Sequence, residues 1–214
     1  MIEGPIKKFT GGSNSSSSYV ISAKHSYLKQ SSKLLYSDWM NDVTSGWRDN
    51  AATGNYGEGL PYTFTDLYGK LSFNGNRGSK VNLFGFSFDD QVNYQQVSDL
   101  HWESAGFGSR FILVPTNTPI LVEGNFSYSK YDISLKEESS DVGERSSAIS
   151  GFNMGLDFTY FLGKDELKYG IQVLGFNTDF TFYNQVNRLI QQQDYTTELA
   201  GYLRYKKIVK KLLI

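Results

Sequence analysis

Gly151-Phe152-Asn153-Met154-Gly155-Leu156-Asp157-Phe158-Thr159-Tyr160-Phe161-Leu162 is the stretch on which the fold turns. Phe152, Met154, Leu156, Phe158, Tyr160 and Leu162 lie on one parity. Gly151, Asn153, Gly155, Asp157 and Thr159 lie on the other. A period of two places the first set on one side of a strand and the second set on the opposite side. The row from Phe152 to Leu162 carries no charge, and an extended chain of this length exceeds the roughly 5–6 residues of an ordinary soluble strand. The expectation is a strand with an apolar, lipid-facing row and a polar face turned to water.

The same alternation recurs outward in both directions. Ile120, Val122, Gly124, Phe126 and Tyr128 alternate with Glu123, Asn125, Ser127 and Ser129. Leu67, Gly69, Leu71 and Phe73 alternate with Asp66, Tyr68, Lys70 and Ser72. Tyr169, Ile171 and Val173 begin another row, but Leu174, Phe176, Phe180 and Phe182 continue it on the opposite parity. Either a bulge near Gly175 shifts the register, or the second half of the strand projects beyond the apolar layer. Eight full strands are expected, over 17–27, 64–74, 79–89, 102–114, 119–137, 149–162, 167–183 and 197–207, with residues 1–6 as the tail of an earlier one.

The connections between these strands divide into short turns (7–16, 75–78, 115–118, 163–166 and 207–211) and long loops (28–63, 90–101, 138–148 and 184–196). Strict alternation puts all the short turns on one rim and all the long loops on the other. Outer-membrane barrels have that asymmetry, with short periplasmic turns and long extracellular loops, whereas a Greek-key sandwich has no reason to sort its connections. The predicted class is therefore all-β, an antiparallel up-and-down transmembrane β-barrel. It appears as about eight strands of a larger barrel, either as an open curved sheet or as a small closed barrel. Aromatics near strand ends (Tyr27, Tyr62, Phe64, Tyr68, Tyr128, Tyr160, Phe161 and Tyr205) are expected to form interfacial girdles.

Composition excludes other classes. The 214 residues contain no Cys and only two His, with a net charge of −1 and 33 aromatic residues (Phe 15, Tyr 15, Trp 3). Absence of Cys removes disulfide scaffolds, thiol nucleophiles and thiolate metal sites. Near-neutral charge without a basic run argues against a nucleic-acid partner. The aromatic content is too high for disorder, and no apolar run reaches the length of a membrane helix. The mean hydropathy of −0.40 is what an apolar row averaged with a polar row and wet loops produces. Residues 1–8 have no apolar signal-peptide region, and 208–214 stop within an apolar stretch, so the chain reads as a piece of a longer protein. No catalytic grouping, cofactor motif or regular metal-ligand spacing emerges, and an enzyme is not expected.

Several strands resemble a known family. Leu60-Pro61-Tyr62-Thr63-Phe64-Thr65-Asp66-Leu67-Tyr68-Gly69-Lys70-Leu71 is similar to the LPYYFYDLNAKL strand of TonB-dependent outer-membrane receptors of the Bacteroidetes type. Glu3-Gly4-Pro5-Ile6-Lys7-Lys8, followed by Ser18-Tyr19-Val20-Ile21-Ser22-Ala23-Lys24-His25-Ser26-Tyr27-Leu28, resembles the EGPI…SYIVSGRRSYL hairpin just upstream in that family, with His25 where Arg is usual. Leu83-Phe84-Gly85-Phe86-Ser87-Phe88-Asp89-Asp90 is similar to the next strand. The resemblance implies roughly a third of a 22-stranded barrel, without the plug domain, the TonB box and the carboxypeptidase-like N-terminal domain. It implies a bacterial outer-membrane receptor that imports a large nutrient, such as a siderophore, cobalamin, oligosaccharide or peptide. The implied partners are outer-membrane lipid, its own plug, TonB and a surface lipoprotein.

Candidate ligand contacts lie in the expected extracellular loops. Trp39, Trp47, Arg48, Asp49 and Tyr56 combine aromatic faces with opposite charges, which suits sugars or aromatic chelates; a self-packed loop is the plainer reading. His101-Trp102-Glu103 stands at a loop base as a further candidate contact, where an interfacial Trp is the plainer reading. Asp89, Asp90 and Asp99 lack EF-hand spacing, so no metal site is expected. Two other readings remain: a complete eight-stranded outer-membrane barrel acting as an adhesin or structural protein, and a soluble β-rich carbohydrate-binding module.

Overall fold

The structure is a computed structural model and describes residues 1–6, 15–28, 30–31, 62–75, 77–94, 98–137, 143–184, 186 and 188–208. It is all-β. Nine strands follow one another in chain order: β1 (Ile2–Ile6), β2 (Ser16–His25), β3 (Tyr62–Asn74), β4 (Lys80–Tyr94), β5 (Ser98–Leu113), β6 (Ile120–Glu137), β7 (Arg145–Leu162), β8 (Asp165–Tyr183) and β9 (Leu189–Lys206). Each pairs antiparallel with its sequence neighbour, so the sheet runs up and down from β1 to β9. It is open: β1 and β9 are its two edges. The eight expected strands are all present, and the expected tail at residues 1–6 is β1.

Register fixes which side chains share a face. Phe152 stands opposite Tyr128 and Gly175, Phe158 opposite Val122 and Tyr169, and Leu156 opposite Gly124 and Ile171. The row read from the sequence of β7 thus continues across its neighbours, and by the same logic takes in Phe107 and Phe111 on β5, Leu83 on β4, Leu71 on β3 and Leu199 and Leu203 on β9. We call this side the Phe152 face and the other the Asp157 face. Lys70, Asn82, Arg110, Glu123, Asn125, Lys168 and Tyr202 occupy the Asp157 face at the same level.

Farther from the tight turns, both faces change character. The Phe152 face becomes polar, with Asp89, His101, Glu103, Lys130, Asp132, Asp179 and Gln193. The Asp157 face becomes apolar, with Phe86, Phe88, Trp102, Ile133, Phe176, Phe180 and Phe182. This inversion accounts for the parity switch in β8. The β7–β8 and β8–β9 ladders run without interruption past Gly175, so of the two readings the bulge is absent and the strand continues beyond the apolar row.

No hydrophobic side chain is buried among the described residues. Phe107 keeps 56 % of its surface exposed, Ile171 53 % and Leu203 74 %. The described residues form a single layer, so among them no second layer packs on its apolar faces. Local order comes from cross-strand pairs. Phe158 stacks on Tyr169 with ring centroids 5.2 Å apart, and Phe107 meets both Phe126 and Tyr128 at 5.9 Å. The rings of Phe111 and Phe152 lie over Gly124 and Gly175, filling the space a side chain there would take. Such pairs contribute roughly 0.2–1 kcal/mol each.

The turns explain themselves chemically. Gly163 has φ +65° at the first position of the two-residue turn 163–164, which a type II′ hairpin turn reserves for Gly. Asn117 supplies the left-handed residue of the β5–β6 turn, with φ 60°.

Two expectations are corrected here. The connections at one rim are 26–61, 95–97, 138–144 and 184–188, and at the other 7–15, 75–79, 114–119 and 163–164. Strands β4 and β5 pair up to Tyr94 and Ser98, and β9 begins at Leu189, so most of 90–101 and of 184–196 is strand. The sorting of long and short connections therefore rests on 26–61. The aromatic girdle also divides: Tyr128, Tyr160 and Tyr205 lie on the Phe152 face, while Tyr62, Phe64, Tyr68 and Phe161 lie on the other and Tyr27 lies outside the strands. A girdle around an apolar band requires one face.

Candidate functional site

Both described surfaces with site-like chemistry on the Asp157 face arise from strand register. Near the tight turns, Glu123 and Asp157 are direct register partners, an unfavourable like-charge pair. Two neighbours relieve it. Lys168 Nζ lies 3.7 Å from Glu123 Oε2, and the Tyr202 hydroxyl donates to the Asp157 carboxylate. The second contact crosses β8 at Gly170, which stands in register with both Asp157 and Tyr202. Absence of a side chain there lets the tyrosine on β9 reach the aspartate on β7, and the Asp157 carboxylate occupies the space a Gly170 Cβ would need. Glu123, Asp157 and Lys168, with Arg110 and Asn125, line a cavity of about 360 Å³. Asn125 continues the polar network to Asn153 at 3.5 Å. The surface offers both signs of charge and several hydrogen-bond donors within a small area, which suits a polar partner surface rather than a single ion.

Farther along the same face lies an aromatic shelf. Tyr62 and Trp102 stack with centroids 6.2 Å apart, and Tyr62 also touches Phe64 at 5.7 Å. The Tyr62 hydroxyl donates to Asp90 at 2.9 Å; burial and then this bond hold its pKa above the usual phenol value. Phe86 stacks on Phe88 at 5.0 Å. At the other side of the shelf, Arg145 lies 5.2 Å above the Phe182 ring and pairs with Glu137 at 3.2 Å. A shallow cavity of about 350 Å³ is lined by Tyr131, Ile149, Leu174 and Phe176, with Ser127 and Ser129 at its margin. Flat rings beside hydroxyls and one guanidinium suit ligands with an apolar face and a polar rim.

The expected site residues are placed as follows. Trp102 is on the aromatic shelf, stacked on Tyr62, and not on the apolar row where an interfacial Trp would stand. His101 points to the opposite face, beside Asp89. The sequence pairing of His101 with Trp102 as one contact therefore does not hold: adjacent strand residues face opposite ways. Trp39, Trp47, Arg48, Asp49 and Tyr56 lie outside the described residues. The row Phe152, Met154, Leu156, Phe158, Tyr160 and Leu162 shares one face, as read. Sequence reasoning missed the shelf as a unit. Its signal was available in the parity switch of β8, which also appears as Ile133 and Leu135 following Tyr128 on β6.

Compared with known proteins, the chain matches no family and no curated protein sequence.

Proposed function

We propose that this sheet is a section of the wall of an outer-membrane β-barrel of the TonB-dependent receptor kind, serving import of a large nutrient. One observation carries this reading: an unburied apolar band on one face of the sheet, backed at the same level by a polar face. At about 3.3 Å per residue, Phe152 to Leu162 spans about 33 Å along the strand. Strands tilted by ~40–45° reduce this to about 24 Å along the membrane normal, against an apolar band of about 25 Å in outer-membrane barrels. In this orientation the Asp157 cluster lines the lumen within the membrane and would meet a plug. The aromatic shelf lines the lumen above the membrane, where an incoming ligand first arrives. Above the band the Phe152 face is polar because it returns to water.

The open edges support a wall section rather than a closed eight-stranded barrel. Strand β9 has 18 residues and borders only β8. Its unpaired N–H and C=O groups are costly in lipid, at several kcal/mol each, so further strands must cover them. The resemblance of the strand motifs to those of TonB-dependent receptors supports the receptor reading, and what that resemblance implies is energy coupling through TonB in the full-length parent, with a siderophore, cobalamin, glycan or peptide as cargo. The protein performs no chemistry on that cargo in this reading.

Solubility tests the reading. The chain is expected to need detergent and to aggregate without it. A stable monomer at high concentration in detergent-free buffer would overturn the membrane assignment and favour a soluble binding module. Gene context separates the receptor from a small barrel. A plug-encoding segment upstream in the same frame is expected; a stop codon after Ile214, with a signal peptide directly upstream of Met1, would exclude the receptor.

A further inference from the structure

On the polar part of the Phe152 face, β4 and β5 bring Asp89, His101 and Glu103 together. Asp89 and Glu103 are register partners, and His101 lies two residues along β5 on the same side. One donor atom from each lies within 4.8 Å of the others, with His101 Nε2 3.6 Å from Asp89 Oδ2. We propose that these three side chains bind a divalent transition-metal ion of the zinc class. The inference rests on this register and not on the barrel reading.

The donor set selects the metal. One imidazole nitrogen with two carboxylates suits zinc and its neighbours, whereas calcium takes six to eight oxygens. Metal–donor bonds of ~2.0–2.2 Å set tetrahedral donors ~3.3–3.6 Å apart. The ladder already fixes the backbone, since directly opposed strand residues hold their Cβ atoms ~4.5–5.5 Å apart. Charge points the same way. Asp89 and Glu103 repel across the strand pair, and Asp132, the register partner of Glu103 on β6, adds to the acidic surplus. The nearby cation Lys130 is held by Asp132 at 2.8 Å. Three protein donors leave a fourth position open. His101 and Glu103 also border a cavity of about 290 Å³, shared with Asp132, Ser134, Ser146 and Asp179, which has room for a water to fill that position.

The test is Zn²⁺ titration of the full chain, stripped with chelator and held in detergent, followed by calorimetry. Co²⁺ in place of Zn²⁺ reports four-coordinate geometry by its visible absorption. One equivalent should bind saturably. Asp89→Asn and Glu103→Gln keep side-chain shape, and each should weaken binding at least tenfold, as should His101→Gln. Asp99→Asn, whose carboxylate accepts from Gln91 at 3.1 Å, should bind like the parent. Far-ultraviolet circular dichroism verifies that each variant keeps its sheet. Absence of saturable binding by the parent chain, or unchanged affinity in His101→Gln and Asp89→Asn together, would overturn the proposal.

Discussion

Replacing Leu156 by Arg gives the sharpest separation between a membrane wall and a soluble sheet. Leu156 lies four residues from Phe152 and six from Leu162, the two ends of the apolar row. It is thus within about one residue, roughly 2–3 Å along the normal after tilt, of the band's midpoint. An Arg at the midplane of a lipid-facing row costs about 2–4 kcal/mol, falling to about 0–1 kcal/mol near the interface. Leu162→Arg, at the band's end, therefore serves as the depth control. Asn153→Arg, on the opposite face beside Asn125, serves as the face control and should be nearly neutral. The expected cost of Leu156→Arg corresponds to about 30- to 700-fold in the folding constant. In a soluble sheet the same side chain would reach water, and exposed substitutions usually stay within about 0.5 kcal/mol. Reversible denaturant unfolding, from lipid vesicles, of the barrel in which further strands cover the edges of this sheet measures the three variants on one scale. The ordering Leu156→Arg, then Leu162→Arg, then Asn153→Arg, from most to least destabilised, is required. Equal costs at Leu156 and Asn153 would refute the assignment of the Phe152 face to lipid.

Further outcomes can be stated. The chain has no Cys, so single cysteines report cleanly: in the inserted protein Asn153→Cys should react with a water-soluble maleimide and Met154→Cys should be protected, and equal labelling would contradict the two-faced reading. Gly175→Val should displace the Phe152 ring that lies over Gly175 and destabilise by about 1–3 kcal/mol through overpacking; unchanged denaturant midpoints would show that the ring contact is not held. Gly170→Val should break the Tyr202–Asp157 hydrogen bond that crosses β8, so Tyr202→Phe introduced on top of it should cost almost nothing more, and a double-mutant cycle in which the two changes add independently would count against the bridge. The isolated chain should associate through the exposed edge of β9, which native mass spectrometry from detergent would detect as oligomers rather than monomer.

Strand existence was legible wherever one face is apolar. The rows at Leu67–Phe73, Ile120–Tyr128 and Phe152–Leu162 carry the period openly, and register places them on one surface. Legibility failed where both faces are polar. Residues 189–196, with Gln191, Gln192, Gln193 and Asp194, alternate nothing, and they read as loop although β9 begins at Leu189. Ladder hydrogen bonds to β8 hold that segment extended, and sequence periodicity is blind to them. The extension of β4 to Tyr94 was hidden in the same way. The Asp89–His101–Glu103 grouping depends on which residues of two strands stand opposite one another. The i, i+2 spacing of His101 and Glu103 is visible in the sequence, but their meeting with Asp89 is set by register between strands, and the sequence grouped Asp89 with Asp90 and Asp99 instead. Facing was partly legible: His101 and Trp102 had to diverge because they are neighbours in a strand.

The inversion of polarity along the strands constrains what must surround this sheet. A sandwich or a helix-covered sheet buries one face along its whole length, so its apolar residues keep one parity throughout. Here Tyr169, Ile171 and Val173 serve one face and Leu174, Phe176, Phe180 and Phe182 the other, with the ladder unbroken between them. No flat layer laid on either face matches that pattern. A layer on the Phe152 face would cover the apolar band and also trap Asp89, Glu103, Asp132 and Asp179; a layer on the Asp157 face would cover the aromatic shelf and trap Glu123, Asp157 and Lys168. Burying charges without dedicated partners costs several kcal/mol each. The surroundings that fit change from apolar to aqueous along the strand on one side, and from polar to partly apolar on the other. In the proposed reading, a bilayer that ends partway up a wall would supply the first, and a lumen with a polar plug below and an amphipathic cargo or loop above would supply the second; on that proposal the aromatic shelf, and not the charged cluster, is where ligand contacts should be sought.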